Sequence, residues 1–381
     1  MRIRSMLCPA AGGSCVPLLA AALALGCGHT EPFTNPTYGS DQPLDATPPQ
    51  RLTYNTAADR SPAWLADGSA FVYSAQQAER GDGDVCLAVM PRGGGSHRAL
   101  WCDVPAGPDQ RDAIQSAAPT AAGGLAFVSA SGTIGGVNPT REAIALAPSL
   151  DPRDAATVRS FPVTPAGGVA EGTADHLRWL DATRLVYVGQ QFRTRTLCQL
   201  CVVDTLRLGQ GVSLLDVSAA GSTPTALPGT ATATGAATGT DPDLVYYTLG
   251  GDTRIYRRTL STGLVEVAHD FGPAGIVRDI MLVGDRMAAV VGGRVAFTLD
   301  PTFGPVQWDS GGVLHLVNLA TGEASVLEGG ARLFRRPALA PDGGALIAEG
   351  FRLIIVTISN NPPISDTTVD RSGDIYRFGA P

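Results

Sequence analysis

Two cysteine pairs, five histidines and three evenly spaced aspartates are the side chains of this 381-residue sequence most open to chemistry. Cys86 and Cys102 lie symmetrically about Gly94, the middle of the glycine turn from Pro91 to Ser96. In a hairpin centred there they face each other on neighbouring strands, where Cα atoms about 4.5 Å apart can carry a disulfide. Cys198 and Cys201 form a C-x-x-C pair. Residues three apart on a straight strand face opposite ways, so these two pair only where the chain turns. Thioredoxin-like redox chemistry would need a helix N-terminus and a βαβ pattern, and neither is visible nearby. All four are therefore disulfide candidates. Asp366, Asp370 and Asp374 punctuate a loop and are weak calcium candidates, since spaced acids can hold a hard cation. They lack the rest of an EF-hand, and the expectation is no metal and no cofactor. His29, His97, His176, His269 and His315 are isolated in the sequence; His315 sits inside an apolar strand and reads as packed core. There is no G-x-S-x-G elbow, no H-E-x-x-H and no P-loop. All 28 basic residues are arginine, so Schiff-base lysine chemistry is excluded. The expectation from motifs is that no residue is catalytic and the protein is not an enzyme.

The elements that must position these residues come from a repeat. Pro62-Ala63-Trp64-Leu65-Ala66-Asp67-Gly68 precedes the apolar run Phe71-Val72-Tyr73, and Pro337-Ala338-Leu339-Ala340-Pro341-Asp342-Gly343 precedes Leu346-Ile347-Ala348. The unit is strand, tight turn, apolar strand. Asp67 and Asp342 belong to the turns: Asp tolerates the second corner and Gly follows. Weaker starts occur at Ala118-Pro119, His176 to Trp179, Asp241 to Asp243 and Ile280 to Leu282. Six starts, each leading to a near-continuous apolar strand, predict blades packed face to face with both sheet surfaces buried. Hairpins over 255–267 and 313–327 close two of the repeats. The Thr/Ala/Gly run 228–240 reads as a flexible interblade loop. The expected fold is all-β, a six-bladed β-propeller of four-stranded antiparallel blades. The last blade runs out of chain after Ile375 to Phe378, and an orphan strand, Gln50 to Tyr54, precedes the first repeat. That N-terminal strand is expected to complete the last blade, close the ring and remove an exposed edge.

The end repeats resemble the WD40-like repeat of TolB-like propellers, through Leu52-Thr53, Asp59, Pro62-Ala63-Trp64, Asp67-Gly68 and Phe71-Val72-Tyr73. The resemblance implies six blades, a bacterial envelope setting and protein partners. The N-terminal helical domain of TolB has no counterpart between Cys27 and Gln50.

Arg2 and Arg4 precede an apolar run of about ten residues, too short to span a bilayer and suited to a signal peptide. The run ends in Leu23-Ala24-Leu25-Gly26-Cys27, which resembles a bacterial lipobox with Cys27 as the lipidated residue. Residues 1–26 are then the lipoprotein signal, 27–48 a lipidated tether that is polar and proline-rich, and 49–381 the propeller. Removal of 1–26 would take away Arg2 and Arg4 and no acid, and with them Cys8 and Cys15. An acidic chain, −7 overall and without charge runs, argues against nucleic acid as a partner.

These readings predict an exported, monomeric lipoprotein, anchored to a membrane through Cys27 and facing the periplasm or cell surface. Its propeller is expected to bind an envelope protein or polysaccharide, because variable loops at the mouth of a rigid channel suit recognition. The alternatives are a propeller enzyme acting on sugars or lactones at the channel mouth, and a structural spacer. The enzyme would need His, Asp or Glu converging from different blades, a property of space that linear sequence does not display.

Overall fold

The computed structural model describes residues 49–54, 58–76, 85–102, 110–133, 141–150, 157–166, 172–196, 203–207, 211–292, 296–300, 304–308, 311–327, 332–351, 353–360, 363–369 and 373–379. Within the compact unit Gln42–Pro381 six four-stranded antiparallel blades form a ring, a six-bladed β-propeller. From the axis outwards, blade 1 is Asp59–Trp64, Ala70–Gln76, Val85–Pro91 and Arg98–Cys102. Blade 2 begins with Gln110–Pro119, blade 3 with Gly172–Trp179, blade 4 with Ala233–Thr238, blade 5 with Val277–Val283 and blade 6 with Leu333–Leu339. Each innermost strand touches its neighbour on either side, blade 6 against blade 1 included.

Ring closure follows the sequence expectation. Gln50–Arg51 is the outermost strand of blade 6, with Gln50 opposite Arg377 and Arg51 opposite Tyr376. Leu52 N–H then donates to Ile375 O at 2.8 Å, and Thr53 Oγ1 accepts from Ile375 N at 2.9 Å. The two ends of the propeller thus share one sheet, and Asp374–Gly379 is paired on both sides instead of forming the edge.

The blades hold together through apolar packing on both faces. Phe71 and Tyr73 point towards blade 6, while Val72 between them points towards blade 2. A strand's period of two sends alternate side chains to opposite faces, so a strand buried on both sides must be apolar at every position. The buried core accordingly falls into six clusters, one in each gap between neighbouring blades.

One expectation fails in blade 4. The Thr/Ala/Gly run is no loop: Ala233–Thr238 is the innermost strand of that blade, with Ala236 and Ala237 fully buried. Six strands converge on the axis, and the crowding there favours small side chains over the β-branched ones that usually mark a strand.

In blades 3, 5 and 6 the chain makes an extra excursion after the second strand. Arg184–Thr196 runs on to pair with Val203–Arg207, and two added hairpins are Ala296–Asp300 with Gly304–Trp308 and Leu353–Asn360 with Pro363–Val369. All leave from the end of the second strand remote from the short first turns, and so gather at one mouth of the channel.

Candidate active site at the centre of the ring

Every innermost strand carries an irregularity at the same height. The register shifts within 60–63, 115–118, 175–178, 233–235, 277–279 and 335–338. The residues at the shift are Ser61, Ser116, His176, Gly235, Asp279 and Arg336. Four of them, Ser61, Ser116, His176 and Arg336, hold positive φ between 50° and 55°, and no other described non-glycine residue does. A left-handed conformation at a non-glycine residue costs of order 1 kcal/mol or more, and here it recurs in four blades. Bulges of this kind re-aim side chains; these turn a ring of polar groups towards the axis.

The groups meet across the channel. Arg336 of blade 6 reaches Asp175 of the opposite blade 3, Nη1 to Oδ1 2.5 Å. The same nitrogen donates to Ser61 Oγ at 2.7 Å, and Ser116 Oγ donates to Asp175 Oδ1 at 2.7 Å. His176 Nδ1 lies 3.1 Å from Asp279 Oδ1 of blade 5, while its Nε2 is 3.9 Å from Asp175 Oδ2. Asp279 Oδ2 also accepts the Arg336 backbone N–H at 2.8 Å. Glu349, fully buried on the second strand of blade 6, takes a 2.5 Å bond from Arg335. Glu142, on the third strand of blade 2, accepts the Ala174 N–H of blade 3 at 2.7 Å.

Electrostatics set these carboxyls in opposite states. Burial pushes the Glu142 carboxyl up to about 8, helped by the nearby Asp175 charge, so it holds its proton at neutral pH. Burial acts the same way on Asp175, but the Arg336 guanidinium, His176 and the Ser116 hydroxyl overcome it and hold that carboxyl below the usual range. Burial would lower His176; the flanking Asp279 and Asp175 carboxylates raise it instead. A protonated acid and an ionised carboxylate therefore stand with an imidazole whose hold on a proton is strengthened.

Cys86 lies directly opposite Cys102 in the register of blade 1, as the symmetry about Gly94 requires. Cys27, Cys198 and Cys201 lie outside the described residues, as does Asp370. Asp366 pairs with Val356 through the backbone. Asp374 is taken up by Arg51 at 2.7 Å. Among the described residues no group of three or more His, Cys, Asp or Glu is arranged to hold a metal ion. Asp67 and Asp342 are turn residues as expected, accepting Ser69 N and Gly344 N. His315 is buried against Phe271, ring centroids 5.2 Å apart, as expected of core. The reading of isolated histidines fails for His176, which meets Asp279 and Asp175, and for His269 and His315, which share the Phe271 ring. A signal for His176 existed: aligning the repeats on their first turns puts Ser61, Ser116, His176, Gly235, Asp279 and Arg336 in one column.

No family model matches this sequence, and no curated protein matches it. Solved structures do. A gluconolactonase from Xanthomonas campestris is 13% identical with a TM-score of 0.53, covering 90% of this chain and 98% of that one. Regucalcin, a calcium-binding protein from Agrobacterium tumefaciens, is 12% identical at a TM-score of 0.50, covering 85% and 90%. TolB from Acinetobacter baumannii is 14% identical at 0.45, covering 81% and 66%. At these identities the likeness is one of fold.

The expectation that the protein is not an enzyme is corrected by these findings. The same fold carries a gluconolactonase, so a missing local motif is no bar to catalysis. The physical reason is that a propeller assembles its site from single residues on separate blades. Here the neighbours Asp175 and His176 come from blade 3, Asp279 from blade 5 and Glu142 from blade 2, so three separate stretches of sequence meet.

Proposed function

We propose that the protein is a propeller hydrolase acting on a small polyhydroxylated substrate, a sugar or a lactone, at the loop-bearing mouth of its channel. The observation that carries this reading is the opposed state of two carboxyls, Glu142 protonated and Asp175 ionised. Carboxyls driven apart in this way divide the work of acid and base. In the proposed reaction Asp175, oriented by Ser116 and Arg336, takes a proton from the attacking water. Water oxygen bonds to the substrate carbon, the carbon–oxygen bond breaks, and Glu142 gives its proton to the departing oxygen. Arg336 supplies positive charge, and His176 an N–H donor, for the oxygen on which negative charge develops. The fold shared with a gluconolactonase supports the choice of substrate class.

The experiment is a pH-stat survey of the purified full chain against glucono-δ-lactone, γ-lactones and aryl glycosides. Turnover of one class is expected, with kcat at least about 100-fold lower in Glu142→Gln and Asp175→Asn. Turnover that survives both substitutions, or no turnover on any substrate, sinks the reading.

The proposed setting is the bacterial envelope, with Cys27 lipidated and residues 28–48 as tether. The support is the Leu25-Gly26-Cys27 sequence after a short apolar run. Cys27→Ala should move the protein from the membrane fraction to the soluble fraction; a variant that stays membrane-bound at unchanged mass rejects the lipid anchor.

A further inference from the structure

The other mouth of the channel is chemically unlike the first. Beyond the ring of bulges, the six innermost strands run on towards the short first turns and enclose a cavity of about 330 Å³. That size lies at the lower end of the roughly 300–1,000 Å³ typical of small-molecule sites. Its wall is apolar: Trp64 and Trp179, Leu282, Met281 and Leu339 are among the lining side chains.

The two indoles are held by equivalent bonds. Trp64 Nε1 donates to Ala338 O, and Trp179 Nε1 donates to Ala118 O, both at 2.9 Å. Each ring thus spends its one donor on the preceding blade and offers the cavity only carbon. Among the described lining residues a single one is charged, Arg178, and no acid lines the cavity beside it. Arg178 Nη1 donates to Leu177 O at 2.8 Å, and its Nε has no hydrogen-bond partner. Burial lowers the Arg178 guanidinium, against the pull of the Asp279 and Asp175 carboxylates that lie outside the cavity lining. Asp175, His176 and Arg336 do not line this space, and their cross-channel contacts separate it from the site described above.

We infer that this cavity is a second binding site, which takes an anionic amphiphile: one carboxylate-type head on Arg178 and an unbranched apolar chain between Trp64 and Trp179. An apolar wall with one half-buried guanidinium, whose Nε has no hydrogen-bond partner, fits neither a free sugar, whose hydroxyls would go unpaired, nor a neutral hydrocarbon, which would leave the guanidinium as it stands. The inference does not depend on the hydrolytic reading, because the two sites share no lining residue that acts in it.

The test is a titration of the full chain, followed by tryptophan emission, with dodecanoate below its micelle-forming concentration. Two of the four tryptophans line the cavity, so occupancy should change the emission saturably at one site per chain. Dodecanol should bind at least about tenfold more weakly, and affinity among carboxylates should rise two- to fourfold per methylene, as burial of about 0.8 kcal/mol per CH₂ implies at its upper limit. Arg178→Gln, checked for folding by circular dichroism, should bind dodecanoate and dodecanol alike. Ala63→Met, which narrows the cavity without touching the charge, should weaken both. No saturable change with dodecanoate, equal binding of dodecanoate and dodecanol by the unsubstituted protein, or full dodecanoate affinity in a folded Arg178→Gln protein would each overturn the proposal.

Discussion

Arg336 and Asp175 stand on opposite blades of the ring and join across its axis, Nη1 to Oδ1 at 2.5 Å. The pair ties blade 6 to blade 3 without any backbone bond between them. Arg336 also neighbours Glu349, Nε to Oε2 3.8 Å, so one guanidinium faces two buried or half-buried acids. Removing a cation from such a set strands the charges it balanced. Arg336→Met should therefore destabilise the propeller by about 3–5 kcal/mol, more than Asp175→Asn, which removes only one of its partners. Urea unfolding of the two variants checks this. Equal, small losses would mean that water screens the pair and that it adds little.

Glu142 gives the protein a pH signature. Its carboxyl is pushed up to about 8, against about 4.3 in an unfolded chain. Between those values the folded state keeps a proton that the unfolded state has lost, so this group makes stability fall as pH rises. The loss is complete above pH 8. Glu142→Gln imitates the protonated form at every pH. The variant should melt roughly 2–4 °C above the unsubstituted protein at pH 8.5 and within about 1 °C of it at pH 4.5. A constant difference across that range would show that Glu142 is ionised throughout.

The propeller was legible because blade packing constrains many residues alike. Phe71-Val72-Tyr73 and Leu346-Ile347-Ala348 must be apolar at consecutive positions, and the turns at Asp67-Gly68 and Asp342-Gly343 repeat the same local chemistry. Such features are local and show in linear sequence. The first strand of blade 4 was missed because Ala233–Thr238 carries none of the usual strand residues; contact with its neighbours at the axis, a long-range property, decides its conformation. The site was missed for a related reason. Ser61, His176, Asp279 and Arg336 have no common chemistry, and only their shared place in the repeat relates them. Searching for motifs among neighbours in sequence could not find a set that draws one residue from each blade.

Cys86 and Cys102 face each other on neighbouring strands, and an exported protein would let them oxidise. The expected disulfide closes a short loop, and its removal should cost about 2–4 kcal/mol. Cys86→Ala/Cys102→Ala should melt several degrees lower than the unsubstituted protein under oxidising conditions. With dithiothreitol present the two should converge. Free-thiol titration of the unfolded, unreduced protein decides the matter directly: reactive thiol at Cys86 would reject the bond.

Gly235 holds the place in blade 4 that Ser61, Ser116, His176, Asp279 and Arg336 hold in the other blades, and it has no side chain to contribute. Its value lies in how close the next blade can come. A Cβ at Gly235 would stand 3.0 Å from Asp279 Cα and 3.2 Å from Ile280 N, tighter than ordinary contact, and backbone atoms give way less readily than side chains. The glycine lets Asp279 sit where His176 Nδ1 meets it at 3.1 Å, past the intervening blade. Its φ is not in the left-handed region, so Gly235→Ala changes the spacing and not the backbone preference. The substitution should move Asp279 outwards and weaken the attraction that raises His176. The imidazole should then titrate closer to its ordinary value of about 6.5, a shift that NMR titration of the ring C–H signals reads directly. Any hydrolytic turnover should fall with it, while the melting temperature changes by only a few degrees. A His176 titration unchanged in the folded variant would mean that the close approach at Gly235 serves packing alone.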